Sequence, residues 1–296
     1  MKIFLCILIS EKNQRFLHLL LESLNSLKSN LNYKLNIIFI IQKKNDFFEK
    51  FVKKNLSKKV KYKIIKSSKN SIPYSRNLYL NYIRKKTFKY GGFLDDDCII
   101  DKGWLINMIK FININKCDIV GGPQRHIIKK KKFKIYFDLI EPKRQNGRIV
   151  DWIATNNSFF KSKVIKDNKI IFDEQLTNYG GSDQLFFKLL SKKKYVIKWN
   201  SNSIVYENYQ KNREKNKWFF KRNFRYGYSG NVIDFKIYGG FKGIFIILLK
   251  TIFLIIQSII FICIPFNFNY LKSYFFLIRA VGRIVGIFNY NPKKYI

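Results

Sequence analysis

Residues 93–97 read Phe-Leu-Asp-Asp-Asp, an apolar pair followed directly by three consecutive carboxylates. The whole chain has 19 acidic residues against 57 basic ones, so a run of three acids is conspicuous. Adjacent carboxylates repel one another unless a cation neutralises them. Mg²⁺ does so with one or two carboxylates and keeps the phosphates of a substrate as further ligands. Asp95, Asp96 and Asp97 therefore predict a metal–diphosphate site. The alternative is a solvated turn whose acids cap the next helix, against which Asp101 already serves as a suitable N-cap residue.

Strands and helices are predicted to alternate on both sides of this motif. Apolar runs predict strands at 2–9, 35–41, 60–66 and 117–121, and helical periodicity predicts helices at 14–28, 45–56, 74–86 and 103–114. An unbroken apolar run such as 35–41 is typical of a strand buried on both faces of a parallel sheet. The alternation predicts an α/β fold, with a Rossmann-like, mostly parallel sheet flanked by helices. Ligands bind such sheets at the carboxyl ends of the strands, which is where the three carboxylates fall.

Beyond Gly121-Gly122-Pro123 the pattern is interrupted. Residues 124–150 are basic and irregular and predict a flexible loop over the site. A further strand is expected at 151–160, and the sequence GGSD at 180–183 opens a helix at 183–191. Adjacent glycines allow a close approach of the backbone to a ligand. Asp183 would lie at the helix N-terminus, where the dipole favours an ionised carboxylate.

The formal charge of +38 suits an anionic membrane surface, a phosphorylated substrate or nucleic acid. The basic residues are spread along the whole chain and are not interleaved with aromatic residues on one predicted face, so no nucleic acid is expected as a partner. We interpret the high positive charge first as compositional drift of the whole chain, and second as attraction of the protein to an anionic membrane. Four scattered cysteines have no zinc or disulfide spacing. The apolar run at 3–9 is too short for a signal peptide, so the catalytic part is expected in the cytoplasm.

The composition changes near residue 240. Residues 244–265 contain one charge, Lys250, and approach the length of a membrane span. Residues 270–288 are apolar except for Lys272, Arg279 and Arg283, which helical spacing places on one stripe. Such a helix suits the headgroup layer of a bilayer, where the stripe would meet anionic lipid. The alternative is a pair of core helices packed on the catalytic domain.

Taken together, these segments resemble family 2 glycosyltransferases of the GT-A fold, in particular the bacterial enzymes that build exopolysaccharides and surface glycans. The resemblance covers about residues 1–230, and its motifs are specific in combination. The matching segments, in chain order, are SIPYSRN at 71–77, FLDDD at 93–97 followed by GWL at 103–105, VGGP at 120–123, ATNNSF at 154–159, FDE at 172–174, GGSD at 180–183 and KRNFRYG at 221–227.

The resemblance implies roles for individual residues. It makes Asp97 and Asp95 ligands of a divalent metal, Mg²⁺ or Mn²⁺, and Asp183 the catalytic base. The remaining candidates are donor-binding residues (Arg76, Asn77, Asp95 and Asp96), acceptor-side residues (Trp152, Asn156 and Asn157) and phosphate or lipid contacts (Arg222 and Arg225). Two positions depart from the family: Gln42 follows the second strand where the family has an Asp that reads the base, and Ser182 stands where a Glu precedes the base.

The sequence thus predicts a catalytic domain at 1–236 and a membrane-associated helical tail, hydrophobic and amphipathic, at 237–296. The expected function is an inverting, metal-dependent, hexosyltransferase-type transfer from a nucleotide-diphosphate-sugar donor to a glycan or lipid-linked acceptor. This would serve surface polysaccharide biosynthesis at the cytoplasmic face of the inner or plasma membrane. The alternative is a catalytically inactive, basic, membrane-associated binding protein, against which the retained carboxylates argue.

Overall fold

A computed structural model describes residues 1–27, 33–42, 46–140, 143–208, 213–264 and 269–288. Its strands are β1 (Lys2–Ile9), β2 (Lys34–Ile41), β3 (Lys61–Lys66), β4 (Tyr90–Asp95), β5 (Cys98–Ile100), β6 (Ile119–Gly121), β7 (Gln124–Ile127), β8 (Asn157–Lys161), β9 (Ile197–Trp199) and β10 (Val205–Asn208). Its α-helices are α1 (Leu17–Asn25), α2 (Asp46–Asn55), α3 (Ile72–Arg84), α4 (Trp104–Ile114), α5 (Lys131–Ile140), α6 (Lys163–Lys166), α7 (Ser182–Lys192), α8 (Asn216–Tyr238), α9 (Gly240–Cys263) and α10 (Asn269–Phe288). Short 3-10 helices cover Glu11–Phe16 and Glu174–Thr177.

The central sheet has seven strands in the order β3-β2-β1-β4-β8-β6-β9. Strand β8 runs antiparallel to both of its neighbours, whereas the pairs β3–β2, β2–β1, β1–β4 and β6–β9 are parallel. Alternate residues of β1 enter two different apolar clusters, Ile3, Leu5 and Ile7 on one side and Phe4 and Cys6 on the other. Burial on both faces explains why this strand is continuously apolar. The predicted α/β fold with a mostly parallel sheet is confirmed.

A smaller sheet lies beyond the end of β4. It has the order β5-β10-β7, with β10 antiparallel to β5 and parallel to β7. The backbone N–H of Asn208 also donates to the carbonyl of Asp97, at 2.8 Å. This sheet therefore fixes the backbone on the C-terminal side of the acidic turn.

The chain forms two compact units. The first contains residues 1–127, 143–174 and 186–209, and with them both sheets. The second contains residues 128–142, 175–185 and 210–296. Helix α5 belongs to the second unit, where the ring of Phe133 stacks on Phe219 of α8 with centroids 5.6 Å apart. The prediction of a flexible loop at 124–150 is therefore wrong, because this segment contains β7 and α5, and the aromatic side chains of α5 are buried.

The long helices of the second unit pack on one another. Helix α10 lies along α8 at close range: an added Cβ at Gly227 would come within 2.0 Å of the Arg279 carbonyl oxygen, and one at Gly282 within 2.2 Å of that of Phe224. Arg279 donates to Asn223 at 2.7 Å, and Arg283 donates to Asp234 at 3.1 Å. The prediction that the basic stripe of α10 meets lipid headgroups is wrong for both arginines, because their partners are on α8.

Helix α9 is long and apolar enough to cross a membrane, and only 17% of its most apolar stretch is buried in the protein. It packs against α8 and α10, yet large side chains such as Phe245, Leu249 and Ile252 are exposed. Lys250, its central charge, pairs with the buried Asp234 at 2.6 Å. Pro265, the predicted end of this segment, lies outside the described residues.

Candidate active site

The three carboxylates lie at the carboxyl end of β4, in the middle of the central sheet. Strand β4 pairs with β1 on one side, in a register that sets Leu8 opposite Asp95, and with the antiparallel β8 on the other. The strand order of the sheet reverses between β1 and β4, and ligands of open α/β sheets bind outside the carboxyl ends of the strands at such a point. Asp101 does not cap α4 with its side chain, because the N-cap residue is Gly103 and no side-chain cap bond forms.

Asp96 is buried and holds the chain that follows β1. Its two carboxylate oxygens accept hydrogen bonds from the backbone N–H of Ser10 at 2.6 Å and from the side-chain amide of Asn13 at 2.7 Å. Burial raises the pKa of Asp96 to about 7, although these two hydrogen bonds act in the opposite direction. Both oxygens of Asp96 therefore have protein partners, so this carboxylate positions the chain after β1.

Asp95 and Asp97 surround the start of β5 with negative charge. The Asp97 side chain is buried, whereas that of Asp95 is 39% exposed and lies 3.9 Å from the Arg76 guanidinium. Burial raises the pKa of the Cys98 thiol, and the carboxylates of Asp95, Asp97 and Glu207 raise it further. A concentration of carboxylates of this kind fits a divalent cation, which would lower their mutual repulsion.

The donor set also fits such a cation. Among the described residues there is no group of three or more His, Cys, Asp or Glu side chains placed to hold a metal ion. Mg²⁺ needs no such cage, because it is held by one or two carboxylates and completes its shell with substrate phosphates and water. Asp95 and Asp97 would provide those two carboxylates.

Helix α3 places Arg76 and Asn77 beside this turn. The helix begins after Ser71, whose hydroxyl accepts from the N–H of Tyr74, and Pro73 occupies its first turn. The Asn77 side chain donates to the carbonyl of Phe172 and accepts from the N–H of the same residue, both at 2.8 Å. Asn77 thus positions the segment that begins at Phe172. The Arg76 guanidinium lies 5.5 Å from the Phe172 ring and 3.9 Å from the Asp95 carboxylate.

The acceptor-side candidates have different surroundings in the structure. Asn157 accepts from the Trp104 indole at 2.9 Å and donates to the carbonyls of Pro123 and Ser203. Its side chain is therefore fully engaged in joining α4, β8 and the segments beside them. The Oδ1 atom of Asn156 is buried, and no described residue donates to it.

Trp152 lies in a stack of three planar groups. The Arg144 guanidinium lies 4.8 Å from the Trp152 ring and 4.9 Å from the Trp199 ring, and it donates to the Trp152 carbonyl at 2.9 Å. Partial burial lowers the pKa of Arg144. Arg144 therefore covers one face of the Trp152 ring. The sequence around Trp152 does not predict this contact.

Asp183 lies in the first turn of α7, in the second unit. The preceding glycines, Gly180 and Gly181, have φ values of +74° and +80°, a region that disfavours residues with a Cβ. An added Cβ at Gly181 would also come within 2.8 Å of the Ile233 side chain. The Asp183 carboxylate accepts from the N–H of Gln184 at 2.9 Å, so the two glycines and the helix start hold it in place.

Arg222 and Arg225 are one turn apart on α8. Arg222 donates to the Tyr226 hydroxyl at 2.5 Å and lies 4.8 Å from the Trp218 ring. The pKa of Arg225 is lowered because protein atoms displace water around it and because Arg222 adds a like charge, while Tyr226 and Asp183 raise it. Asp183 and the two arginines therefore form one local group within the second unit.

The sequence model of glycosyl transferase family 2 matches residues 6–175, which is more than half of the chain and includes the acidic turn. The chain belongs to glycosyl transferase family 2. The glycosyltransferase activity predicted from the sequence is thereby confirmed at the level of the family. No curated protein sequence matches the chain.

Solved structures support the fold of this glycosyltransferase. S. aureus TarS, residues 1–349, superposes with a TM-score of 0.54 at 14% identity, covering 97% of this chain and 90% of TarS. A second structure of the same TarS fragment holds UDP-GlcNAc. The mannosyltransferase PcManGT from Pyrobaculum calidifontis, in complex with GDP-Man and Mn²⁺, superposes with a TM-score of 0.62 at 10% identity and covers 95% of this chain and 86% of its own. At these identities the likeness extends to the fold.

Sequence reasoning missed several residues around the site. Ser10 and Asn13 follow β1, and the parallel pairing of β1 with β4 was enough to expect them near the acidic turn. The contacts of Arg144 with two tryptophans carry no sequence signal, because the three residues are far apart in the chain. Asp234 was missed because a single acid in α8 looks like a surface residue.

Proposed function

We propose that this glycosyltransferase moves a hexose from a nucleotide-diphosphate-sugar donor to a glycan or lipid-linked acceptor, with inversion and with a divalent metal. The observation that carries the proposal is the acidic turn after β4. Asp96 is engaged by the fold through Ser10 and Asn13, and Asp95 lies partly exposed beside Arg76. Donors of this kind, UDP-GlcNAc and GDP-Man, are bound by the fold neighbours TarS and PcManGT.

The residues present suggest how the donor side would work. Asp95 and Asp97 would hold Mg²⁺ or Mn²⁺, and the cation would neutralise charge on the departing diphosphate. Arg76 would add a donor fork that matches phosphate geometry. Asn77 acts at one remove, since it fixes the backbone at Phe172.

On the acceptor side we assign the base to Asp183. An inverting transfer needs a group that removes the proton of the acceptor hydroxyl as that oxygen attacks the sugar. A carboxylate within hydrogen-bond reach of the acceptor hydroxyl can take this proton. Asn156 is the better acceptor-side candidate of the asparagine pair, because a buried Oδ1 without a described donor is able to accept from a substrate hydroxyl.

We further propose that the enzyme is anchored at the cytoplasmic face of the membrane and serves surface polysaccharide synthesis, and the exposed apolar surface of α9 supports the anchoring. A helix of 24 residues with a largely exposed apolar surface has the length for a span. The excess of basic residues would favour anionic lipid headgroups.

The test is a panel of nucleotide sugars on the full chain purified in neutral detergent, with release of nucleoside diphosphate as the readout. We expect one donor to be turned over in Mn²⁺ and turnover to stop in a chelator. If no donor is turned over and no nucleotide binds, the chain is the inactive membrane-associated binding protein instead. Turnover that is equal in Mn²⁺ and in chelator would remove the metal from the proposal and keep the transfer.

A further inference from the structure

Helices α8 and α10 of the second unit lie side by side and run in the same direction. Near their N-terminal ends, the ring of Phe219 stacks on that of Phe275 with centroids 6.3 Å apart. Further along both helices, the side chain of Asn231 donates to the carbonyl of Arg283. Contacts therefore advance together along the two helices, over most of the length of each.

Helix α9 runs in the opposite direction and packs against both of them. Its first turn meets the end of α8, since an added Cβ at Gly243 would lie 3.4 Å from the Cα of Phe235. Its last part meets the start of α10, where the hydroxyls of Ser258 and Ser273 are hydrogen-bonded at 2.9 Å. The axis of α9 therefore follows that of α8 and α10.

Helix α8 also packs on the segment that leads to the candidate base Asp183. The Tyr228 ring stacks on that of Tyr179 with centroids 5.2 Å apart, and an added Cβ at Gly181 would come within 2.8 Å of the Ile233 side chain. A base that serves a water-soluble donor has to be reached by water. Helix α8 therefore stays outside the hydrocarbon layer of a membrane.

The charges of α8 lead to the same orientation. Lys221 and Arg225 are exposed on this helix, and charged side chains are expensive within hydrocarbon. If α9 crossed a bilayer, it would bring its neighbour α8 into the same layer, because the two helices are packed side by side. The length of α9 permits a span, but its packing on α8 opposes one.

The exposed surfaces of α9 and α10 are apolar along the whole length of both helices. Each helix has a row of large exposed side chains at seven-residue spacing, which places the members of a row on one face. These rows are Phe245, Ile252 and Ile259 on α9 and Tyr274, Val281 and Phe288 on α10. Exposed apolar surfaces of this extent mark sites of protein or membrane contact.

Cations at both ends of α9 favour a membrane as the occupant. Lys242 is exposed in the first turn of α9, and the ammonium group of Lys272 lies 5.1 Å from the ring of Phe261 in its last turn. Basic residues near a membrane surface are attracted to anionic lipid headgroups. Only a helix that lies parallel to the surface brings both of its ends to the same headgroup layer.

We propose that α9 and α10 lie flat in one leaflet of an anionic membrane, with α9 parallel to the surface and both of its ends on the same side. The rows of apolar side chains enter the boundary between headgroups and acyl chains, to a depth of about 5–10 Å. The polar face that such a helix needs is provided by α8. This inference rests on the membrane anchoring in the proposed function and states how the anchor is oriented.

The experiment measures the depth of nitroxide labels in vesicles of phosphatidylglycerol and phosphatidylethanolamine, by power saturation with oxygen and a nickel chelate. Full-length Cys263→Ser is the background, because Cys263 is the exposed cysteine and Cys6, Cys98 and Cys117 are buried. Phe245→Cys, Ile252→Cys and Ile259→Cys each introduce one label on the same face of α9. Two controls accompany them: the unsubstituted background, which should take up no label, and Ile149→Cys on the exposed surface of the first unit. A thermal melt of each variant establishes that it is folded.

We expect the three labels on α9 to lie at the same depth within about 4 Å, about 5–10 Å below the headgroups, and the label at position 149 to report water. In a span, seven residues of helix rise about 10 Å, so the label at position 252 would lie about 10 Å deeper than the other two. That profile would overturn the inference, and so would a depth that increases steadily from position 245 to 259.

The outcomes keep this inference separate from the proposed function. Labels that all report water would refute the anchoring itself, and with it the orientation. A spanning profile in a chain that turns over a donor would refute the orientation and keep the transfer. Equal, shallow depths in a chain that turns over no donor would support the orientation and refute the transfer.

Discussion

At the scale of single residues, position in the acidic turn separates three identical side chains. Asp96 has both oxygens bound by Ser10 and Asn13, while Asp95 is partly exposed and faces Arg76. The same division applies to the two adjacent asparagines, since Asn157 is saturated by protein partners and the Oδ1 of Asn156 has no described donor. Adjacent residues of the same type therefore differ in the contacts that the fold gives them.

The first residue-scale prediction concerns the base. Asp183→Asn keeps the size of the side chain and its bond with Gln184 but removes its basicity. We expect turnover at saturating donor to fall by about 10²–10⁴, the usual contribution of a positioned base, with donor affinity largely kept. Asp151→Asn is the matched control, because Asp151 is an exposed carboxylate paired with Lys188. Loss of donor affinity with normal turnover at saturation would move Asp183 to the donor site.

The second concerns the asparagine pair. Asn157→Ala leaves the buried Trp104 indole without its acceptor and removes a donor from the Ser203 carbonyl, whereas the Pro123 carbonyl still accepts from the N–H of Val205. A stranded buried polar group costs about 1–3 kcal/mol. We expect a clear drop in the urea midpoint for Asn157→Ala and a small one for Asn156→Ala. If the two variants lose equal stability, Asn157 has no special role in the fold.

At the scale of elements, the second unit depends on one buried charge. Asp234 of α8 receives two hydrogen bonds from Arg283 of α10, each 3.1 Å, and pairs with Lys250 of α9 at 2.6 Å. The three helices are thus joined at one carboxylate. This network also explains how α9 tolerates a lysine in the middle of an apolar segment.

Asp234→Ala should destabilise this helix group strongly, since removing one partner of a buried pair typically costs about 3–5 kcal/mol. The measurement is the thermal midpoint in detergent, with the exposed Lys242→Ala of α9 as the control. A midpoint equal to that of the control would mean that apolar packing alone holds α8, α9 and α10 together.

The helices and strands also show how much of the fold could be predicted from the sequence. Apolar periodicity located β1 to β4 and α1 to α4 within a few residues, because both faces of a central strand must be apolar. Helix α5 was missed because its first residues are rich in lysine, which gives the segment a polar, irregular appearance in the sequence. Its buried side chains are Phe133, Tyr136 and Phe137. The stripe of α10 was misassigned because helical spacing puts Arg279 and Arg283 on one face without revealing that Asn223 and Asp234 lie opposite. The donor side of the site followed from short motifs, whereas the contacts of Arg144 with Trp152 and Trp199 join segments that are distant in the chain.

At the scale of the whole molecule, the proposed function brings a soluble donor together with a membrane-bound acceptor. Removal of residues 237–296 is a poor test of anchoring, because α8 would lose the partners of its buried face on α10. The predicted division at 236/237 stays a prediction. Substitutions on the exposed surface of the full chain test membrane anchoring without disturbing the packing of α8 on α10.

We predict that the full chain sediments with vesicles of phosphatidylglycerol and phosphatidylethanolamine, and that glutamine at four exposed positions of α9, namely Phe245, Leu249, Ile252 and Ile256, abolishes this. The control replaces four exposed isoleucines of the first unit, Ile114, Ile127, Ile149 and Ile171. Equal sedimentation of both variants would place the membrane contact elsewhere.

The most direct test of the central claim is electron paramagnetic resonance of Mn²⁺ with the nucleoside diphosphate of the preferred donor. We predict one immobilised Mn²⁺ per chain when nucleotide and wild-type protein are both present. We expect none with Asp97→Asn and a weakened signal with Asp95→Asn, each variant retaining the wild-type thermal midpoint. An unchanged bound-Mn²⁺ signal in both variants would contradict the account, because the acidic turn after β4 would then not be the metal–diphosphate site.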